Sequence, residues 1–257
     1  MVDKSGPRKE GSFEARWRSR FQEFAGSHDD DAGIAGWSDS GLETRLRYFD
    51  RLWRESPVGG SGRWVDVGCG AGSYSRLLAA QGNSVLGVDY SDITIKKARE
   101  RGSEGIEWLV GDATRLPLPR ECFNGVLSLG VTQALSDSER LVRELADLVA
   151  PGGQVWVDGL NSWCLPHVWE RLRRWLKGRP PHVRYESPWR LKALLKAQGL
   201  EGVRLVWMPM VPGRFPRIQR FLESPAMTAL FRGVPLVGAL FSHSMMVYGR
   251  RAPQEGA

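Results

Sequence analysis

From residue 63 the chain alternates short apolar runs with segments of helical period, and this alternation restricts the fold more than any other feature. The runs RWVDV, SVLGVD, IEWLV, NGVLSLG and QVWVDGL read as strands, with helices predicted at Ser73–Ala80, Asp92–Arg101 and Ser138–Val149. Strands in this rhythm form a parallel sheet covered by helices on both faces, since each crossover must return the chain to the same edge. Right-handed crossovers then place ligands beyond the C-terminal ends of the strands. A helix at Pro188–Gln198, a strand VRLVWM, an insertion of about 30 residues and a last strand near Ser244–Gly249 complete the series.

Upstream, Phe13, Trp17, Phe21 and Phe24 fall on one helical face, and a second helix opens at Ser40 or Gly41 and runs through Leu42, Leu46, Phe49 and Trp53 to Ser56-Pro57 and Gly59-Gly60. Between them Asp29, Asp30 and Asp31 read as a solvated loop. Residues 1–12 read as a frayed tail. The expected organisation is a tail and helical cap over 1–60 and a ligand-binding domain over 61–257, with substrate-side insertions at 163–187 and 212–242.

Composition removes several function classes. At 257 residues, 42% hydrophobic and 25% charged, the chain is long enough to bury a core and is not a disordered polymer. Its longest apolar stretches are broken well short of the roughly 18 residues a membrane helix needs. The N-terminus has no apolar signal region, so a cytoplasmic location is expected, with peripheral contact at the inner membrane face as an extension. The three cysteines, Cys69, Cys122 and Cys164, lack zinc-like pairing, and no metal site is expected.

The strand RWVDV runs into Gly68-Cys69-Gly70-Ala71-Gly72 and then a helix, so backbone must approach a ligand where a Cβ would intrude. A tight turn without a ligand would also use glycines. The spacing departs from the dinucleotide pattern G-x-G-x-x-G, whose third glycine comes one position later. Asp89 ends the second strand, where a carboxylate can accept from both ribose hydroxyls, and Asp112 ends the third, where it can accept from an adenine amine while the Ala113 N–H reaches a ring nitrogen.

With these strand ends in order, the chain resembles the class I S-adenosylmethionine-dependent methyltransferases, in particular the group that includes ubiquinone and menaquinone biosynthesis methyltransferases. The resemblance rests on VDVGCGAG at 65–72, VLGVDYS at 85–91, GDATRLPLP at 111–119, FNGVLSLGVTQAL at 123–135 and RELADLVAPGGQVWVDGLN at 143–161. It implies an α/β, Rossmann-like, seven-stranded mostly parallel sheet of order 3-2-1-4-5-7-6 with strand 7 antiparallel, an N-terminal helical cap and a C-terminal lid insertion. It implies S-adenosylmethionine as cofactor: Asp66 and the Gly68 carbonyl would hold the ammonium, Gly70 and Gly72 would let the backbone pass, and Asp89 would bind the ribose. Tyr90 would line the adenine, Asp112 and Ala113 would read its edge, and Leu129 would offer backbone to the methionyl part. Trp37 with Arg45 or Arg47 would reach the sulfonium and carboxylate end, unless they serve helix packing and solvent.

Methyl transfer from a sulfonium needs alignment above all, and an acceptor hydroxyl also profits from a general base. Many relatives carry a histidine after the fourth strand, where this chain has Ala134 in VTQAL. Of the four histidines, His28, His167, His182 and His243, His28 in the N-terminal loop and His167 after the fifth strand are the candidates.

The net charge of +7 is concentrated late, in Arg171, Arg173, Arg174, Lys177 and Arg179, in Arg214, Arg217 and Arg220, and in Arg250 and Arg251. Leu165, Val168, Trp169, Leu172, Trp175 and Leu176 oppose the first cluster on one helix. Phe215, Ile218, Phe221 and Leu222 interleave with the second. Such helices either pack on their own domain as a lid with a solvated basic face or dock on an anionic membrane. Nucleic acid is disfavoured because the aromatics form no stacking platform. The expected activity is methyl transfer to a small or lipid-like biosynthetic acceptor, with O-methylation favoured. The alternatives are a non-enzymatic S-adenosylmethionine-binding scaffold and an NAD-dependent oxidoreductase.

Overall fold

A computed structural model describes residues 13–56 and 61–254. The expectations for the tail and for Pro57 and Gly59-Gly60 lie outside the described residues. The strands are β1 (Arg63–Val67), β2 (Ser84–Asp89), β3 (Ile106–Val110), β4 (Phe123–Ser128), β5 (Val149–Leu160), β6 (Leu200–Met208) and β7 (Ser244–Arg251). They form one sheet of order β3-β2-β1-β4-β5-β7-β6, in which β7 runs antiparallel to both its neighbours. The expected order and polarity are both present.

Eleven helices surround the sheet among the described residues: α1 (Phe13–Ser27), α2 (Asp31–Ile34), α3 (Asp39–Arg54), α4 (Ser73–Ala79), α5 (Asp92–Glu100), α6 (Glu139–Leu148), α7 (Leu165–Leu176), α8 (Pro188–Ala197), α9 (Pro216–Leu222), α10 (Pro225–Gly233) and α11 (Pro235–Phe241). One face of the sheet packs Val65, Val67, Val126 and Val155 against Leu141, Leu145, Leu191 and Leu195 of α6 and α8. The other packs Trp64, Leu127 and Trp156 against Tyr48, Phe49 and Leu52 of α3 and Tyr74 and Leu78 of α4. α3 is therefore a layer of the main core. Burying each such side chain stabilises the fold by about 1.5–3 kcal/mol.

Three local expectations change. α3 starts at Asp39, two residues ahead of the later predicted opening, because the Ser38 hydroxyl accepts from the Gly41 N–H at 3.2 Å and caps the helix. In the segment expected as a solvated loop, Asp29 and Asp30 are exposed, but Asp31 opens α2, which Asp30 caps. Asp31 pairs with Arg76 of α4 and with Arg101 at the C-terminal end of α5, which ties the N-terminal segment to the sheet's helices. The lid reading of the basic helices also fails for α7. His167 is its one buried residue, while Trp169, Trp175 and Leu176 are 65%, 72% and 68% exposed. No described helix is long and apolar enough to cross a membrane.

Candidate active site

The C-terminal ends of β1, β2, β3 and β4 surround a first cavity. Its floor is the loop after β1, where Gly68, Gly70 and Gly72 all adopt positive φ. At Gly68 (φ +78°) a Cβ would overlap the Val131 side chain, whereas at Gly70 (φ +54°) a Cβ would meet no heavy atom within 4 Å. One glycine thus lets the loop fold against the β4 exit, and the other leaves its surface open to a ligand. Gly72 lies under Trp108 and is the left-handed residue that starts α4.

Asp89 sits at the rim with both oxygens anchored. Its Oδ2 accepts from the Gly70 N–H at 3.1 Å and its Oδ1 from the Ser91 N–H at 3.0 Å. Burial pushes its pKa up, and the N–H donors pull it back. Gly68, Gly70, Asp89, Tyr90, Asp112, Ala113 and Leu129 all line the cavity, and so does Ala134. Asp66 stands apart from this lining. It lies beneath the loop, where its Oδ2 accepts from the Ser75 hydroxyl at 2.7 Å, and burial pushes its pKa up to about 7. Cys69 is buried, which raises its thiol pKa, and it packs beside Gly87.

α1 closes the cavity from above, contributing Glu14, Trp17, Arg18 and Phe21 to its wall. The Arg18 guanidinium pairs with the Asp112 carboxylate and lies 5.3 Å from the Tyr90 ring centre. Tyr90 Oη donates to the Arg18 carbonyl at 3.0 Å, and the Ser136 N–H donates to Glu14 Oε1 at 2.8 Å. The other Asp112 oxygen accepts from Thr114 N–H at 2.9 Å and Thr114 Oγ1 at 2.8 Å.

A second cavity of about 440 Å³ adjoins the first through Trp17, Ala35 and Trp37, which line both. Arg45, Gln133, Leu160, Val183, Met210 and His243 line the remainder, so both late insertions reach its rim. Arg45 is fully buried, lies 4.4 Å from the Trp37 ring centre and makes no hydrogen bond through Nε. Its nearest counter-charge is Asp158, at 3.8 Å, whose Oδ1 also accepts from the Gly130 N–H at 2.6 Å. Arg47 points elsewhere, to Glu43 and Glu223.

The candidate bases separate. His28 is exposed, with Nδ1 against Ser27 Oγ and the Phe24 carbonyl, and lines neither cavity. His182 faces Glu170 on the surface of the α7–α8 connection. His167 is buried behind the second cavity and contacts His243, Nε2 to Nδ1, at 3.0 Å. His243, which sequence reasoning passed over, is the histidine in a cavity wall. The available signal was the antiparallel last strand: it brings the start of β7, Ser244, level with Leu160 at the functional edge of the sheet.

Residues 65–157 match the methyltransferase domain family. The ubiquinone biosynthesis O-methyltransferase of Azorhizobium caulinodans is 32% identical over 59% of this chain and 64% of its own length. The demethylmenaquinone methyltransferase of Clavibacter sepedonicus is 30% identical over 52% of this chain and 58% of its own. The chain thus spans less than two thirds of the length of these relatives. Magnesium protoporphyrin IX methyltransferase of Synechocystis with bound S-adenosylhomocysteine has the same fold, at a TM-score of 0.60 and 15% identity over 93% of this chain and 96% of that one.

Proposed function

We propose that the chain is a class I S-adenosylmethionine-dependent methyltransferase, that it binds S-adenosylmethionine in the first cavity and that it methylates a small or lipid-like acceptor in the second, a reading supported by the match of residues 65–157 to the methyltransferase domain family. The observation that carries this reading is the adjacency of the two cavities across Trp17, Ala35 and Trp37. The cofactor supplies a methyl already activated as a sulfonium, so the protein's task is alignment and exclusion of water.

The residues of the first cavity fit that cofactor. The open surface at Gly70 accepts its close approach, and Asp89, held by two backbone N–H groups, keeps lone pairs for the ribose hydroxyls. The carbonyls of Gly68 and Leu129 receive the ammonium. Asp66 supports them from beneath by fixing the loop to Ser75. Asp112 accepts the adenine amine once Arg18 leaves it, so α1 shifts as the cofactor enters.

A lipid-like acceptor is supported by the exposed apolar face of α7 together with Phe221 and Phe241, 63% and 60% exposed, among the arginines of α7 and α9. An apolar face ringed by arginines suits the surface of an anionic bilayer, from which a tethered acceptor would enter beside Val183 and Pro212. Calorimetric titration tests the reading: S-adenosylmethionine and S-adenosylhomocysteine should bind and NAD should not. Failure of folded protein to bind S-adenosylmethionine would refute it, and binding without transfer to any acceptor would favour the scaffold.

A further inference from the structure

We propose that Arg45 anchors a carboxylate on the acceptor, so that the second cavity takes an amphiphilic monoanion with an apolar body; this rests on the two-cavity reading above and names the acceptor class within it. Arg45 is 4% exposed, lines the second cavity and not the first, and is the one formally charged side chain in that lining. His243 in the same wall adds no charge, since burial, His167 and Arg45 push its pKa down to about 3. Leu160, Val183, Met210, Val211 and Pro212 supply an apolar wall.

The guanidinium is far from satisfied. A buried arginine presents five N–H donors, and each one left without an acceptor costs free energy. Nη1 reaches the Met210 sulfur at 3.3 Å and the Gly41 carbonyl at 3.5 Å, a weak acceptor and a long contact. Nε is buried without a hydrogen bond, and Nη2 makes none among the described residues. Trp37 covers one face of the group, its ring centre 4.4 Å away. Asp158 stands 3.8 Å from Nε, beyond hydrogen-bond reach, and turns Oδ1 to the Gly130 N–H at 2.6 Å. Burial accordingly pushes the pKa of Arg45 down and that of Asp158 up, against the pull of each on the other.

A planar carboxylate fits these donors, because its two oxygens match the parallel N–H pair of a guanidinium. The charge count points the same way. One guanidinium, partly offset by Asp158, balances a monoanion, whereas a phosphate dianion would leave charge in excess beside an apolar wall. The Gln133 side-chain amide, on a residue 7% exposed, makes no hydrogen bond among the described residues and lines the same cavity, a further donor for the anion. A cationic acceptor would add a second positive charge beside Arg45 and is opposed there. Trp37 lines both cavities, so an acceptor held on Arg45 lies beside the seam between donor and acceptor.

The test is calorimetric titration of the full chain, saturated with S-adenosylhomocysteine, with octanoate, octanamide, octylamine and octyl phosphate, which share one alkyl chain and differ in the head group. Octanoate should bind at least about tenfold more tightly than each of the others. Arg45→Met should abolish that preference and Arg45→Lys should keep part of it. Arg45→Met alone leaves Asp158 buried and unpaired, so it is also combined with Asp158→Asn, which removes both charges and keeps an acceptor for the Gly130 N–H. The double variant should bind octanamide at least as well as octanoate, with the affinity for S-adenosylhomocysteine within about twofold of the wild type. Equal affinity of the wild type for octanoate and octanamide, tighter binding of octylamine or octyl phosphate, or a preference for octanoate that survives the loss of Arg45 would overturn the proposal. So would a fall in S-adenosylhomocysteine affinity to match the fall for octanoate, since the guanidinium would then belong to the cofactor's own carboxylate. Failure of the underlying reading is separately visible, as absence of S-adenosylhomocysteine and S-adenosylmethionine binding to folded wild type, and would take the acceptor class with it.

Discussion

The two cavities are built in different ways. The first is made mainly of loops at the ends of β1 to β4 beneath α1, and its Asp89 is anchored by the backbone two and 19 residues away, at Ser91 and Gly70. The second collects side chains from α3, Gln133 after β4, the end of β5, the connection before α8 and the residues flanking β6 and β7. Backbone-built sites repeat across acceptors because their chemistry lies in loop shape. Side-chain-built sites can change substrate with a few residues and leave the sheet untouched.

If that division is sound, damage to the first cavity should be severe and independent of acceptor. Gly68→Ala should show the largest effect: at φ +78° an L residue costs about 1–2 kcal/mol, and its Cβ also collides with Val131. Loss of S-adenosylmethionine binding beyond roughly 100-fold, with a lowered melting temperature, is expected by calorimetry and thermal denaturation. At the far edge of the second region, Trp169→Glu with Trp175→Glu should lower partition onto phosphatidylserine-containing vesicles at least about tenfold, since each substitution removes a large interfacial ring and adds repulsion. The melting temperature should stay unchanged, because both rings are already in solvent. Vesicle binding that survives the double variant, or that needs no anionic lipid, would remove the membrane from the account.

A pH experiment sharpens the contrast within the first region. Asp66 has a folded pKa of about 7, above the 3.8 of its unfolded reference. Its favourable contribution is therefore complete below about pH 4 and is lost as pH rises toward 7. Asp66→Asn lacks that loss, so its melting temperature should gain on the wild type by several degrees between pH 5 and pH 8. The smallest effect is expected at the lid. Arg18→Ala removes a half-exposed pair that competes with adenine for Asp112, and S-adenosylmethionine should bind roughly two- to fivefold more tightly, in keeping with about 0.2–1 kcal/mol for such pairs.

The same division explains what could be read from the sequence. The strand order came with the family resemblance, and the glycines and acids that line the first cavity were legible because motif and strand end lie within a few residues of one another, as in VDVGCGAG and VLGVDYS. The motif says where Asp66 stands in the chain, but not that its carboxylate turns to Ser75 in the first turn of α4. His243 escaped because its partners are His167 and Asn161, 76 and 82 positions away, joined only by the pairing of β5 with β7. α7 was ambiguous for a related reason: an amphipathic pattern states which face is apolar, and the tertiary structure decides whether anything covers it.

The most direct test of the two-cavity account is the dissociation constant for S-adenosylmethionine in Asp89→Ala and in His243→Gln, measured side by side with the wild type. The account predicts a loss of about 2 to 3 kcal/mol, roughly 30- to 150-fold, in Asp89→Ala and no change beyond about twofold in His243→Gln, whose side chain lines the second cavity only. Equal weakening in both variants, or none in Asp89→Ala, would contradict the division of the molecule into a donor cavity and an acceptor cavity.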